Sequence, residues 1–267
     1  MNEAPIGIFD SGIGGLTVAS AIRRMMPLES MIYFGDTAHL PYGEKSEAAV
    51  QAYSIKIADV LLEEGCKVIV IACNSASSSA YELLVEYVGK RTKIINVIDP
   101  MVDLVGQQFQ NDRIGLIGTK RTVNSQVYFR KTSQLGLGIE LASLATPLLV
   151  PMIEEGFIHQ RISHDIIEKY LEDEALAGIS ALILGCTHYP LIHGEIVAHY
   201  GGSVQVLDSS EVTAQYVYHY LLQENLLSSH LGESDRFLVS DYTDSFEVST
   251  QLFFGKRVHL EFYKLWE

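Results

Sequence analysis

The chain has 267 residues, 48% of them hydrophobic and 19% charged, which suits two α/β domains of ordinary size better than one sheet. A formal net charge of −14 and a pI near 5.0 argue against a broad nucleic-acid surface, and no apolar run reaches the roughly 18 residues of a membrane span. The opening Met1-Asn2-Glu3-Ala4-Pro5 lacks the basic segment of a signal peptide, so the three Cys are expected as free thiols in a reducing cytoplasm.

In chain order, Ile6-Gly7-Ile8-Phe9 reads as a strand and Asp10-Ser11-Gly12-Ile13-Gly14-Gly15 as the turn after it. A Gly-rich turn without the Lys of a P-loop is either an anion cradle or a place of tight packing. A helix over about 16–26 stops before Pro27. The strand Met31–Phe34 runs into a polar loop, Gly35 to Gly43, too rich in special residues for a simple turn. Ser46 caps the next helix, which ends at Gly65. Cys66 opens the following strand and is expected to be core packing. That strand, Val68-Ile69-Val70-Ile71-Ala72, stops at Cys73-Asn74-Ser75, and the Ser-rich segment after it opens a helix to Gly89. Lys93–Ile98 is the fourth strand.

From there the pattern restarts. Ile114-Gly115-Leu116-Ile117-Gly118-Thr119 echoes residues 6–11 at an offset of 108, Cys186 echoes Cys73 at 113, and Val206-Leu207-Asp208-Ser209 echoes Val97-Ile98-Asp99-Pro100 at 109. Three echoes in one order imply two homologous α/β halves, each a parallel sheet flanked by helices. The expected domains are 1–98 plus 210–267 and 99–209. The last segment, with a helix over 213–223 and a strand near Phe237-Leu238-Val239, belongs to neither repeat and is expected to return to the first half.

Both repeats place a Cys at the C-terminal end of a buried strand, where open α/β sheets bind ligands. If the halves face each other, two thiols meet across one cleft. That arrangement suits removal of a proton from one face of a carbon and its return to the other. A thiol just before a helix start ionises more readily. His188, two residues after Cys186, and Asp10, at the matching turn beside Cys73, are the candidate proton partners. Ser11, Asn74, Ser75, Thr119, Thr122 and Thr187 crowd the turns with hydroxyls and an amide. At helix N-termini such groups can hold a small carboxylate without a basic patch. A zinc site would want four ligands and a redox pair would want Cys-x-x-Cys; neither spacing is present. No Lys lies in a turn beside the Cys pair to form a Schiff base, Lys120 being the nearest, so no cofactor is expected.

These residues resemble the glutamate racemases, the cofactor-independent Asp/Glu racemase family. The similarity is carried by Asp10-Ser11-Gly12-Ile13-Gly14-Gly15-Leu16-Thr17-Val18, Asp36-Thr37-Ala38-His39-Leu40-Pro41-Tyr42-Gly43, Ala72-Cys73-Asn74-Ser75-Ala76-Ser77 and Leu184-Gly185-Cys186-Thr187-His188-Tyr189-Pro190-Leu191. The resemblance implies two domains related by a pseudo-twofold, with the active site between them and the C-terminal segment completing the first. It implies that Cys73 takes the α-proton of D-glutamate and Cys186 that of L-glutamate, and that the product serves peptidoglycan synthesis. Asp10 and His188 would assist, with Glu154 of Pro151-Met152-Ile153-Glu154 on the His188 side. Substrate contacts would come from Asp10, Ser11, Pro41, Tyr42, Gly43, Asn74, Ser75, Thr119, Thr122, Thr187 and His188. The implied partner is glutamate, with no metal, nucleic acid or membrane, and with a homodimer as one assembly open to it.

The chain departs from the family pattern in places. Ser75 stands where Thr is common, Thr146 where many members have Cys, and His39 where Arg is frequent. The first strand begins at once, so activation by a peptidoglycan precursor through an N-terminal extension is not expected. Aspartate and hydantoin racemases and a related decarboxylase are the neighbouring readings. The decarboxylase needs one Cys only, and the Pro41-Tyr42-Gly43 loop favours glutamate over aspartate. A small-acid binding protein that has lost turnover is the reading from another class.

Overall fold

The computed structural model describes residues 2–232 and 234–266. The first half lays down β1 (Ile6–Asp10), α1 (Leu16–Met25), β2 (Met31–Gly35), α2 (Glu47–Glu63), β3 (Val68–Ile71), α3 (Asn74–Val88) and β4 (Lys93–Asn96). α4 (Ile98–Gln108) leads to β5 (Arg113–Gly118), α5 (Lys120–Asn124), α6 (Val127–Gln134), β6 (Glu140–Ala145), α7 (Leu149–Glu154), α8 (Arg161–Leu171), β7 (Ala181–Gly185), α9 (His193–Tyr200) and β8 (Gln205–Asp208). α10 (Ser209–Gln223) returns to the first half, followed by β9 (Arg236–Val239), α11 (Asp244–Phe254) and β10 (Glu261–Phe262).

All strand pairs are parallel, and they build two sheets in the orders β10-β9-β2-β1-β3-β4 and β6-β5-β7-β8. The order β2-β1-β3-β4 recurs as β6-β5-β7-β8, so the internal repeat read from the sequence is a repeat of topology. The C-terminal strands extend the first sheet beyond β2, through the pairing of Gly35 with Val239 at the end of the ladder.

The central strands are apolar because both faces are covered. Ile6, Ile8, Val68 and Val70 join the core under α1, α4 and α10, whereas Phe9, Ile69 and Ile71 face α2 and α3. Cys66 lies just before β3, buried in the second of these clusters, and burial pushes its thiol up to about 12; it is a packing residue, as expected. No described helix is long and apolar enough to cross a membrane.

One echo was misaligned. β4 ends at Asn96, whose side-chain oxygen accepts from the amides of Ile98 and Asp99 and so starts α4, whereas Asp208 accepts from Ser210 and starts α10. The equivalent positions are therefore Asn96 and Asp208, an offset of 112, and Asp99 already lies inside a helix. Asn and Asp both cap helices through a side-chain oxygen, so the two halves fill one position with different residue types.

Candidate active site

Cys186 follows β7 directly and Cys73 follows β3 after Ala72, and both line one pocket, in a wall shared by both halves. Its volume is ≈ 30 Å³, room for a water molecule or two. Two larger surface clefts, ≈ 320 and ≈ 600 Å³, contain no thiol. Of the expected site residues, Ser11, Pro41, Tyr42, Gly43, Asn74, Ser75, Thr119, Glu154, Thr187 and His188 join the two Cys in this lining. Asp10 and Thr122 stand behind it. Gly12, Leu40, Val150 and Gly185 complete the wall; Leu40 and Val150 were missed, because an apolar residue in a loop or a short helix carries no chemical signal of its own.

Cys73 is the N-cap of α3, its Sγ accepting from the Ala76 amide at 3.4 Å and lying 3.7 Å from Ser11 Oγ. Burial, and then the charge of Asp10, push its thiol from 9.0 to about 12, against the opposing pull of the helix amide and Ser11. Asp10 does not hydrogen-bond this sulfur. Its Oδ2 accepts from Gly12 N at 3.0 Å, and among the described residues Oδ1 has no partner. Burial raises its carboxyl above the ordinary 3.8, against the charge of His188 and the amides of the turn.

Cys186 is placed differently. A turn and the short helix Tyr189–Ile192 intervene before α9, so it does not cap a helix as expected. Its Sγ lies 3.7 Å from His188 Nδ1, and His188 Nε2 lies 3.0 Å from Glu154 Oε1 at the end of α7. Burial works against the imidazolium, but the hydrogen bonds and negative charges of Cys186 and Glu154 outweigh it and push His188 from 6.5 up to about 10.

The Gly-rich turn after β1 is a packing device. A Cβ at Gly14 would meet His188 Cε1 at 2.4 Å and Thr187 Oγ1 at 2.7 Å, and one at Gly15 would meet Asp10 Cβ at 2.5 Å. The absence of side chains lets the turn press against the loop that follows β7 in the other half. Thr17 Oγ1, in the first turn of α1, donates to the Thr187 carbonyl at 3.0 Å and joins the same seam.

Around the cavity, Ser75 Oγ and Thr119 Oγ1 lie 2.9 Å apart across the halves, and Thr122 Oγ1 backs Thr119 at 3.1 Å. Tyr42 commits its hydroxyl to the buried Asp36 at 2.6 Å, so it meets the cavity through its ring and backbone. His39 is not at the cavity; its ring stacks on Tyr53 with centroids 4.2 Å apart and its Nδ1 lies 3.1 Å from Asp36. Thr146 is buried against Tyr189, with the hydroxyls 2.6 Å apart. Lys120 lies on the surface 3.4 Å from Glu44. No group of metal-binding side chains occurs among the described residues.

Comparison with known proteins places this geometry. Residues 16–217 match the model of the Asp/Glu/hydantoin racemases. The chain is 38% identical to a glutamate racemase of Neisseria meningitidis serogroup B over 95% of its length and 94% of the relative's. It is 41% identical to one from Persephonella marina, covering 96% and 95%. The crystal structure of glutamate racemase from Francisella tularensis in complex with D-glutamate superposes with a TM-score of 0.91 at 36% identity, covering 99% of both chains. An aspartate racemase of Picrophilus torridus covers 81% of this chain and 94% of its own with a TM-score of 0.59 at 19% identity, a likeness of fold alone. The chain belongs to the Asp/Glu/hydantoin racemase family, and within it to the glutamate racemases, which are amino-acid isomerases.

Proposed function

We propose that the chain interconverts L- and D-glutamate by a two-thiol proton transfer without a cofactor, in the cytoplasm, and so supplies D-glutamate for peptidoglycan. The observation that carries this reading is the pair Cys73 and Cys186, delivered to one cavity from equivalent strand ends of two sheets. The D-glutamate bound in the Francisella tularensis structure supports the choice of substrate.

In the L-to-D direction Cys186, as thiolate, takes the α-proton, and the electron pair of the broken C–H bond delocalises into the carboxylate. Cys73, as thiol, returns a proton to the opposite face, leaving the first sulfur protonated and the second as thiolate. His188 accepts or yields the proton of Cys186, and Glu154 steadies the imidazolium. On the other side the amide at the head of α3, Ser11 and the ammonium of the bound amino acid favour the Cys73 thiolate that the reverse direction needs. Asp10 acts on that side through charge. Asn74, Ser75, Thr119 and Thr187 are the proposed holders of the carboxylates, with backbone groups of Pro41, Tyr42 and Gly43. The domains 1–98 plus 210–267 and 99–209 form the two walls. Ser75–Thr119 and the Arg121 guanidinium on the Lys45 carbonyl join the two walls beside the site.

Circular dichroism of L- and D-glutamate with the purified protein and no added cofactor tests the reading. Loss of optical activity from either enantiomer is expected; racemisation of aspartate or a hydantoin but not glutamate would overturn it.

A further inference from the structure

Tyr128 is 1% exposed and sits on α6, in the second half of the chain. Its hydroxyl reaches α3 of the first half and donates to Asn74 Oδ1 at 2.8 Å. Asn74 is 2% exposed, follows Cys73 directly and lines the cavity. Among the described residues its Nδ2 has no hydrogen-bond partner. A buried NH2 group without a partner is costly unless a ligand completes it.

We propose that Tyr128 is a positioning residue that locks the Asn74 amide with its NH2 toward the cavity, so that the site presents a donor to a substrate carboxylate. The inference rests on the racemase reading above and adds to it the group that sets the polarity of one substrate contact.

A carboxylate only accepts, so an Asn that binds it must offer nitrogen and not oxygen. The two ends of an amide are nearly equal in shape, and nothing steric prevents reversal. The phenol breaks the tie. Its proton goes to Asn74 Oδ1, the one hydrogen bond that this hydroxyl makes among the described residues. Reversal would set two donors against one oxygen and strand a buried O–H. Burial also holds the phenol far above its ordinary value, so it stays protonated at any working pH and remains a donor. The Tyr128 carbonyl accepts from the buried Thr132 Oγ1 at 2.9 Å, one turn on, which helps fix the helix that carries the phenol.

The test is a cycle of Tyr128→Phe, Asn74→Ala and the double variant, with kcat and KM measured for both enantiomers. Tyr128→Phe should raise KM about tenfold, the scale of one hydrogen bond to a charged group, with kcat changed less than about twofold. In the Asn74→Ala background the same change should do nothing further. An unchanged KM in the single variant, or an equal loss in both backgrounds, overturns the proposal, the second because a merely structural tyrosine would cost the same with or without Asn74. NMR on the unaltered protein decides the orientation even if the variant fails to fold. The Asn74 side-chain protons should show no strong NOE to the Tyr128 ring protons beside the hydroxyl, and such an NOE would overturn the lock. Absent glutamate turnover in the unaltered protein would sink the functional reading instead, while the NMR arm still reads the amide.

Discussion

At the end of β3, Cys73 caps a 15-residue helix and touches Ser11, whereas at the end of β7 Cys186 faces His188 and, through it, Glu154. The two sheets share a strand order and the two thiols share a position in it. Their surroundings do not match. One sulfur is governed by burial and a nearby carboxylate, which hold it as thiol against the pull of a helix amide and Ser11. The other has a cation beside it, because His188 keeps its proton up to about 10. The proposed reaction, though symmetric about a carbon, does not need symmetric bases. It needs one group poised as acid and one as base in each direction, and two unlike environments set that poise apart.

The largest expected effect removes either side altogether. Replacing Cys73 or Cys186 by Ala should lower kcat by about 10⁴-fold or more in both directions, the upper range for a general acid or base. Racemisation by either variant at near-normal rate would mean that the comparison is between a catalyst and a core residue. Next comes His188→Gln, which leaves a thiol on that side without its proton partner, at about 10²-fold. Because enantiomers are equal in energy, kcat/KM must fall equally from L- and D-glutamate. The asymmetry shows instead as an α-deuterium isotope effect that grows for L-glutamate and not for D-glutamate. Equal isotope effects would show that His188 serves both sides.

A milder change is Glu154→Gln, which keeps a hydrogen-bonding side chain and removes a partly exposed charge. Activity should drop about tenfold or less. Because that charge helps raise His188, the alkaline limb of kcat should move to lower pH; a limb that stays or moves upward contradicts the pairing. The smallest effect is on stability. His188 is raised in the fold from 6.5 to about 10, so its contribution is complete below about pH 6.5 and is lost as pH rises through 10. Cys73, raised from 9.0 to about 12, acts in the same sense at higher pH. The Tm should therefore fall between pH 7 and pH 10, and fall less in His188→Gln; a rising Tm over that window would contradict the sign.

Much of this was readable because the chemistry is local in sequence. The two strands announce themselves by unbroken apolar runs that stop at Cys, and His188 is two residues from its thiol. The repeat was visible where identity was kept, and was misplaced at Asn96 because a cap can be drawn from either an amide or a carboxylate. Asp10 lies close enough to Cys73 for its charge to act on the thiol, but its Oδ2 accepts from the Gly12 amide and not from the sulfur, an arrangement that depends on backbone direction within a six-residue turn. β6 was not read, since its Glu140–Ala145 stretch is an edge strand with no fully buried residue and little pattern. The Tyr128–Asn74 bond spans 54 residues and two halves of the chain, and nothing in either neighbourhood points to the other.

The central claim is that two different groups hold the two protons, and isotope exchange reads this directly. Racemisation of L-glutamate run in deuterium oxide and stopped at low conversion, and the same with D-glutamate, should place solvent deuterium on the product enantiomer while recovered substrate keeps its protium. Substrate that gains deuterium as fast as product does would mean that one base works on both faces, and the two-thiol account would be wrong.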